Sequence, residues 1–206
     1  MATVDHVLYL HGFNSHPSAW KSEMTRKACA LATPRPDFHA PHLIPRPGEA
    51  FAIAEAAFRA LPGRTLVIGS SLGGFVGLGL AERFDVEALV LINPAVRPSM
   101  LASQWVGTTH ENPYTGDACF IEPAFVDELK ALEVTSPRRM ERCLAIYGTA
   151  DDTLDYREAE QLLKGSRTLL SEGDTHGLDR YADFLPTVLA QGGLTLNRAD
   201  LVECLS

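Results

Sequence analysis

One short stretch restricts the fold more than any other: Val67-Ile68-Gly69-Ser70-Ser71-Leu72-Gly73-Gly74-Phe75. A run of β-formers, Thr65 to Ile68, meets Gly69-x-Ser71-x-Gly73, and a helix-length apolar stretch follows. Strand, tight turn and helix in that order make the nucleophile-elbow pattern. Such a turn holds its central residue in a strained conformation, so the side chains two before and two after it crowd each other. Glycine at 69 and 73 removes those Cβ atoms. The pattern therefore presents Ser71 as a nucleophile. Without further groups it would be only a glycine-rich strand-to-helix turn, so the remaining chemistry has to be found elsewhere in the chain.

The surrounding pattern supplies a sheet to carry the turn. Apolar runs alternate with helical periods, which signals an α/β fold with a mainly parallel sheet. Six strands are expected, at Val4–Leu10, Phe38–Ile44, Thr65–Ile68, Ala88–Ile92, Cys143–Tyr147 and Arg167–Leu170. Their near-continuous apolar character suits strands covered by helices on both faces. Helices are expected at Ser18–Leu31, Glu49–Leu61, Leu72–Arg83, Pro123–Leu132, Tyr156–Leu163 and Asp179–Gln191. In the second, Phe51, Ala54, Phe58 and Leu61 fall on one face. The third carries Gly73, Gly74, Gly77 and Gly79, a poor composition for an isolated helix. It makes sense if that helix lies close against the sheet.

A chain of 206 residues is long enough for one sizeable domain. Residues 1–193 read as that domain, and residues 194–206, after Gly192-Gly193, read as an appendage. An excursion over about 97–141 carries Trp105, His110, Tyr114, Phe120 and Phe125. It follows a strand's C-terminal end, where a lid or pocket wall over an active site would sit. A net charge of −8 argues against nucleic acid or an anionic membrane as a partner. No basic segment with an apolar core opens the chain, and no stretch approaches the ~20 apolar residues of a membrane span. The expected compartment is the cytoplasm. Four scattered cysteines without a Cys-x-x-Cys pair read as free thiols. No metal or cofactor is expected.

A serine hydroxyl needs a base to take its proton, and that base is commonly histidine. The imidazolium in turn needs a carboxylate to hold its tautomer and offset its charge. In this fold the order is serine, acid, histidine, each on a loop past a strand's C-terminal end. Asp151, Asp152 and Asp155 follow the strand ending near Tyr147. Asp151 is favoured, because the Gly148-Thr149-Ala150 turn would aim it back toward Ser71. Asp155 reads as a helix cap, with Glu158 completing a capping box. Among seven histidines, His176 is best placed, in the loop after the last strand. His39 and His42, three apart on an expected strand, would point to opposite faces and could not chelate one metal. Two backbone amides should hold the oxyanion of acyl transfer. One is that of Leu72, at a helix N-terminus; the other is that of Phe13, in the loop His11-Gly12-Phe13-Asn14-Ser15. His11 reads as structural.

With these residues placed, the chain resembles the α/β-hydrolase superfamily, and within it the small bacterial esterases of the YqiA/YcfP type. The likeness spans about residues 4–192. It rests on Leu8-Tyr9-Leu10-His11-Gly12-Phe13-Asn14-Ser15, Ile68-Gly69-Ser70-Ser71-Leu72-Gly73-Gly74, Asn93-Pro94-Ala95-Val96-Arg97-Pro98, Glu111-Asn112-Pro113-Tyr114-Thr115-Gly116 and Leu154-Asp155-Tyr156-Arg157. The resemblance implies an esterase or thioesterase with the triad Ser71, Asp151 and His176. It also implies a compact fold lacking the first two strands of larger relatives. The chain departs from the pattern near the histidine, with Asp174-Thr175 in place of Gly-Asp and Leu178 in place of a phenylalanine. The expected reaction is hydrolysis of small acyl esters or thioesters through an acyl-enzyme on Ser71. Acyl transfer or peptide hydrolysis on the same residues, and a non-catalytic binding protein of this fold, are the alternatives. The sequence does not specify an oligomeric state.

Overall fold

The computed structural model describes residues 2–197 together with Ala199 and Val202. Six parallel strands form its sheet: β1 (His6–Leu10), β2 (Asp37–His39), β3 (Thr65–Ser70), β4 (Ala88–Ile92), β7 (Cys143–Gly148) and β8 (Arg167–Ser171). Their spatial order is β2-β1-β3-β4-β7-β8. Alternate residues along each strand feed two separate cores. Leu8, Leu10, Val67, Leu89, Leu91, Ala145 and Tyr147 face one way. Val7, Tyr9, Leu66, Ile68, Val90, Ile92, Leu144 and Ile146 face the other. That is why these strands read as unbroken apolar runs.

Helices cover both faces. Helices α1 (Trp20–Leu31) and α7 (Tyr181–Ala190) pack on the second core through Ala28, Cys29, Leu185 and Val188. The first core is covered by α2 (Pro47–Arg59), α3 (Leu72–Arg83), α5 (Pro123–Leu132) and α6 (Tyr156–Leu162). Helix α2 starts two residues before the expected Glu49, because Pro47 supplies a ready-made first helical φ and needs no amide partner there. The glycines of α3 have more than one purpose. A Cβ on Gly73 would run into the Leu10 carbonyl of β1, and one on Gly79 would meet the Phe51 ring of α2 at 2.7 Å. The helix thus lies hard against both the sheet and its neighbouring helix.

The structure corrects three expectations. The second strand ends at His39 rather than Ile44. It is an edge strand, and Pro41 just beyond it has no amide to extend the ladder. His42 is therefore outside any strand. The two histidines are separated by the fold instead: His39 packs on His6, at 5.5 Å between ring centroids, and His42 on His16, at 5.2 Å. The excursion also holds more structure than its one expected helix. It includes α4 (Pro98–Ser103) and a hairpin of β5 (Thr109–Glu111) with β6 (Ala118–Phe120).

Past Gly193, Leu194 and Leu196 are buried in the second core, and Thr195 bridges to Thr33. The appendage expected over 194–206 otherwise extends beyond the described residues, and Cys204 lies outside them. Cys29, Cys119 and Cys143 are free and buried. Among the described residues no helix is long and apolar enough to cross a membrane.

Candidate active site

The loops beyond β1, β3, β7 and β8 converge at the C-terminal edge of the sheet. Ser71 sits between β3 and α3 with φ 55° and ψ −120°. A non-glycine residue rarely occupies that region, so the surroundings must hold it there. Its amide donates to the Ile92 carbonyl at 2.9 Å, and its own carbonyl accepts from the amides of Gly74 and Ala95 at 2.9 and 3.1 Å. A Cβ on Gly69 would run into the Gly73 carbonyl. Glycine at 69 thus clears the turn itself, as expected. A Cβ on Gly73 would first meet the end of β1, at the Leu10 and His11 carbonyls.

The hydroxyl so presented lies 3.0 Å from His176 Nε2. On the far side of the ring, His176 Nδ1 lies 2.7 Å from Asp151 Oδ2. The Asp151 side chain is 1% exposed, and that of His176 is 27% exposed. The other oxygen, Asp151 Oδ1, accepts from the amides of Thr153 and Leu154, each at 2.9 Å. Burial by itself raises the Asp151 carboxyl. The hydrogen bond from His176 and those two amides outweigh it, so the group lies below the ordinary carboxylate range. An ionised carboxylate only accepts, which places the ring proton on Nδ1 and leaves Nε2 free to accept from Ser71. Asp152 is exposed. Asp155 is the N-cap of α6 and accepts from the Arg157 amide at 3.0 Å. The reciprocal bond from Glu158 is absent among the described residues.

The two residues expected to supply the oxyanion amides also lie beside Ser71. Phe13 and Leu72 line the same cavity as Ser71 and His176. Among the described residues neither amide donates to a protein acceptor. Leu72 begins α3, where the unpaired amides and the helix dipole favour negative charge. The Phe13 loop is tied down by His11, whose Nε2 accepts from the Leu43 amide at 3.0 Å and whose Nδ1 contacts the Gly12 carbonyl at 2.9 Å. Burial lowers the His11 imidazole to about 4, so it is neutral and structural.

Two cavities meet at Ser71 and His176. One, of about 180 Å³, is walled by Leu101, Trp105, Phe125, Leu129 and Leu154 and is apolar. The other, of about 220 Å³, is walled by Ser15, Trp20, Lys21 and Tyr114. The excursion after β4 contributes to both, through Trp105 and Tyr114.

Sequence reasoning gave no role to Asn93, at the end of β4. It is buried with φ 40°, a left-handed conformation that asparagine tolerates well. Its Nδ2 donates to the carbonyls of Thr175 and His176 at 3.2 and 2.9 Å, and its Oδ1 accepts from the Gly148 amide at 2.7 Å. One side chain thus clamps the acid loop to the histidine loop. The available signal was an asparagine before a proline at a strand's end. Asp174, in the departure from the expected motif, secures the same loop from the other side. It accepts from Ser171 Oγ at 2.8 Å and from the amides of Asp179 and Arg180 at 3.0 and 3.3 Å. Leu178, at the second departure, is fully buried with φ 50°.

The parallel sheet with its strained serine turn between β3 and α3 defines an α/β-hydrolase fold. Solved structures of this fold superpose closely at low identity. Est1E from Butyrivibrio proteoclasticus matches with a TM-score of 0.71 at 14% identity, over 92% of this chain and 87% of that one. Alpha/beta hydrolase domain-containing protein 10 from mouse matches with a TM-score of 0.69 at 16% identity, over 100% and 92%. The esterase domain of a Rhodothermus marinus protein matches at 0.62 and 19%, over 94% and 87%. More specifically, the chain belongs to the uncharacterised protein family UPF0227, whose model matches residues 6–191. This is the YqiA-like family that the sequence motifs resemble.

Proposed function

We propose that this protein is a serine hydrolase of small carboxylic esters or thioesters. The single observation that carries the reading is the continuous chain from Ser71 Oγ through His176 to Asp151, at 3.0 and 2.7 Å. His176 Nε2 takes the hydroxyl proton as Oγ attacks the carbonyl carbon, and the carbonyl π electrons move onto oxygen. The amides of Phe13 and Leu72 bind that oxyanion, each contributing about 10²–10³ in rate. Collapse of the intermediate expels the alcohol or thiol, which takes its proton from His176. Water, deprotonated by the same nitrogen, then attacks the acyl-enzyme and releases the acid. Asp151 stays ionised throughout and offsets the imidazolium. The acyl group lies in the apolar cavity beside Leu72, walled by Leu101, Trp105 and Leu129. Est1E and the Rhodothermus domain, which share the fold, support a hydrolase of esters, as does the ferulic acid bound to Est1E in a second structure.

A fluorophosphonate probe followed by peptide mass mapping tests this directly. The expected result is one adduct, on Ser71, lost in Ser71→Ala. A folded, unlabelled wild-type protein that turns over neither p-nitrophenyl esters nor acyl thioesters would leave the fold without the proposed chemistry.

A further inference from the structure

The second cavity at Ser71 holds a charge that the reaction above does not use. Lys21, in the first turn of α1, is half-buried in its wall. Among the described residues the ammonium makes one hydrogen bond, to the Gly177 carbonyl at 2.6 Å, and lies 5.6 Å from the centre of the Trp20 ring. Two of its three N–H donors are left for other partners. Asp179, Asp174 and Asp151 are the carboxylates that act on it, and none is within ion-pair distance. Asp151 and Asp174 are already occupied, by His176, Ser171 and backbone amides. Burial, which lowers the amine, is opposed by those three charges. A half-buried cation with a neutral acceptor is an incomplete pair.

Its place relative to the chemistry says which part of a substrate would complete it. The leaving group takes its proton from His176 Nε2, so it departs on the histidine side. Gly177 follows His176 and lines only the Lys21 cavity of the two, whereas Leu72 lines only the apolar one. We propose that Lys21 binds a carboxylate carried by the leaving group, so that the preferred ester joins an apolar acyl chain to a small alcohol or phenol bearing an acid. This rests on the acyl-enzyme reading of Ser71 and extends it to the substrate's other half. Tyr114 and Trp20, both partly exposed, flank the cavity and leave room for a small ring.

The hexanoyl ester of 3-hydroxybenzoate, compared with that of 3-hydroxybenzamide, isolates the charge at constant shape. Wild-type kcat/KM should favour the acid by about ten- to a hundredfold, the size of one charge-assisted hydrogen bond. Lys21→Met should bring the acid ester down to the amide ester, mainly through KM, and leave the amide ester within about twofold. Turnover of the amide ester reports that the variant is folded. Equal losses on both esters would assign Lys21 to holding the His176 loop through Gly177 and would overturn the proposal. Calorimetry of free 3-hydroxybenzoate against 3-hydroxybenzamide decides the site without turnover. Equal binding of the two to the wild-type protein refutes the carboxylate site. Selective binding of the acid in a protein that cleaves neither ester would keep the site and refute the hydrolase reading.

Discussion

Replacing Asn93 should cost both stability and activity, and the two effects can be separated. Asn93→Ala deletes a donor to two carbonyls and an acceptor for one amide, in a side chain that is 3% exposed. A buried partner left unpaired costs about 1–3 kcal/mol. The Thr175–His176 loop is partly open to solvent, so water takes up some of the loss there, and about 1 kcal/mol is taken as the minimum for each of the three bonds, the buried Gly148 amide included. Alanine at φ 40° adds about 1 kcal/mol of left-handed strain that asparagine largely avoids. The sum is about 4 kcal/mol. At about 2–4 °C per kcal/mol for a domain of this size, the melting temperature should fall by roughly 8–16 °C. Freed from its clamp, His176 no longer holds its 3.0 Å approach to Ser71, and a displacement near 1 Å lowers kcat by about 10²-fold. Asn93→Gly separates the contributions, because glycine accepts this φ without strain. The difference between the alanine and glycine variants reads the backbone, and the remaining deficit reads the hydrogen bonds. Calorimetric melting and fluorophosphonate labelling rates, taken well below each midpoint, give both quantities. If Asn93→Gly melted within about 2 °C of wild type and labelled at the wild-type rate, the clamp would be idle and this reasoning wrong.

Two further outcomes are expected. Ser71→Gly should abolish labelling yet raise the melting temperature by about 2–4 °C, because glycine relieves about 1 kcal/mol stored at φ 55°; a lower midpoint would mean that the turn is unstrained. His11 titrates near 4 in the folded protein and near 6.5 when unfolded, so the folded form binds fewer protons between those values. Its contribution is intact above pH 6.5 and lost as the pH falls toward 4, about 3 kcal/mol in all. His11→Gln should flatten the slope of stability with pH in that window, and an unchanged slope would remove His11 from the account.

What the sequence reveals follows the range of the interaction concerned. Ser71 is legible because glycine, serine and glycine act within one turn. His176 is legible because it follows a strand whose apolar run is local. Asp151 separates from Asp152 and Asp155 only through the Gly148 turn before it, again a local cue. The second strand is misjudged because proline acts on pairing, which depends on the neighbouring strand. The β5–β6 hairpin leaves no apolar run, since each strand buries at most its middle residue. Asn93 and Lys21 are the limiting cases. The first joins residues 55, 82 and 83 positions away, and the second reaches Gly177 across 156 positions. Nothing beside either residue announces those partners.

The reason a crevice opens at Ser71 lies in the strand order. From β1 the chain runs outward to β2, then crosses back to place β3 on the other side of β1. The connections after β1 and β3 therefore leave toward opposite faces, and a gap forms between their C-terminal ends. That gap is narrow: a Cβ on Gly12 would stand 3.2 Å from Ser71 Cβ, and one on Gly73 would enter the Leu10 carbonyl. Phe13, after β1, and Leu72, after β3, line one cavity beside it. Strands β4, β7 and β8 lie in sequence beyond β3 and deliver Asn93, Asp151 and His176 from one side only. On the β1 side His11, which lines the Lys21 cavity with Ser71, is held neutral and bonded to Leu43, and among the described residues the Ser71 hydroxyl has no hydrogen-bond partner from that side. On the proposed mechanism the topology divides the site into an anion-binding half built of backbone and a proton-transfer half built of side chains. Lys21 lies where the first helix brings a cation round to the second half, against the carbonyl that follows His176. On the proposed reading, a substrate acid bound there shares its cavity with Gly177 and His176, on the side from which the leaving group would depart.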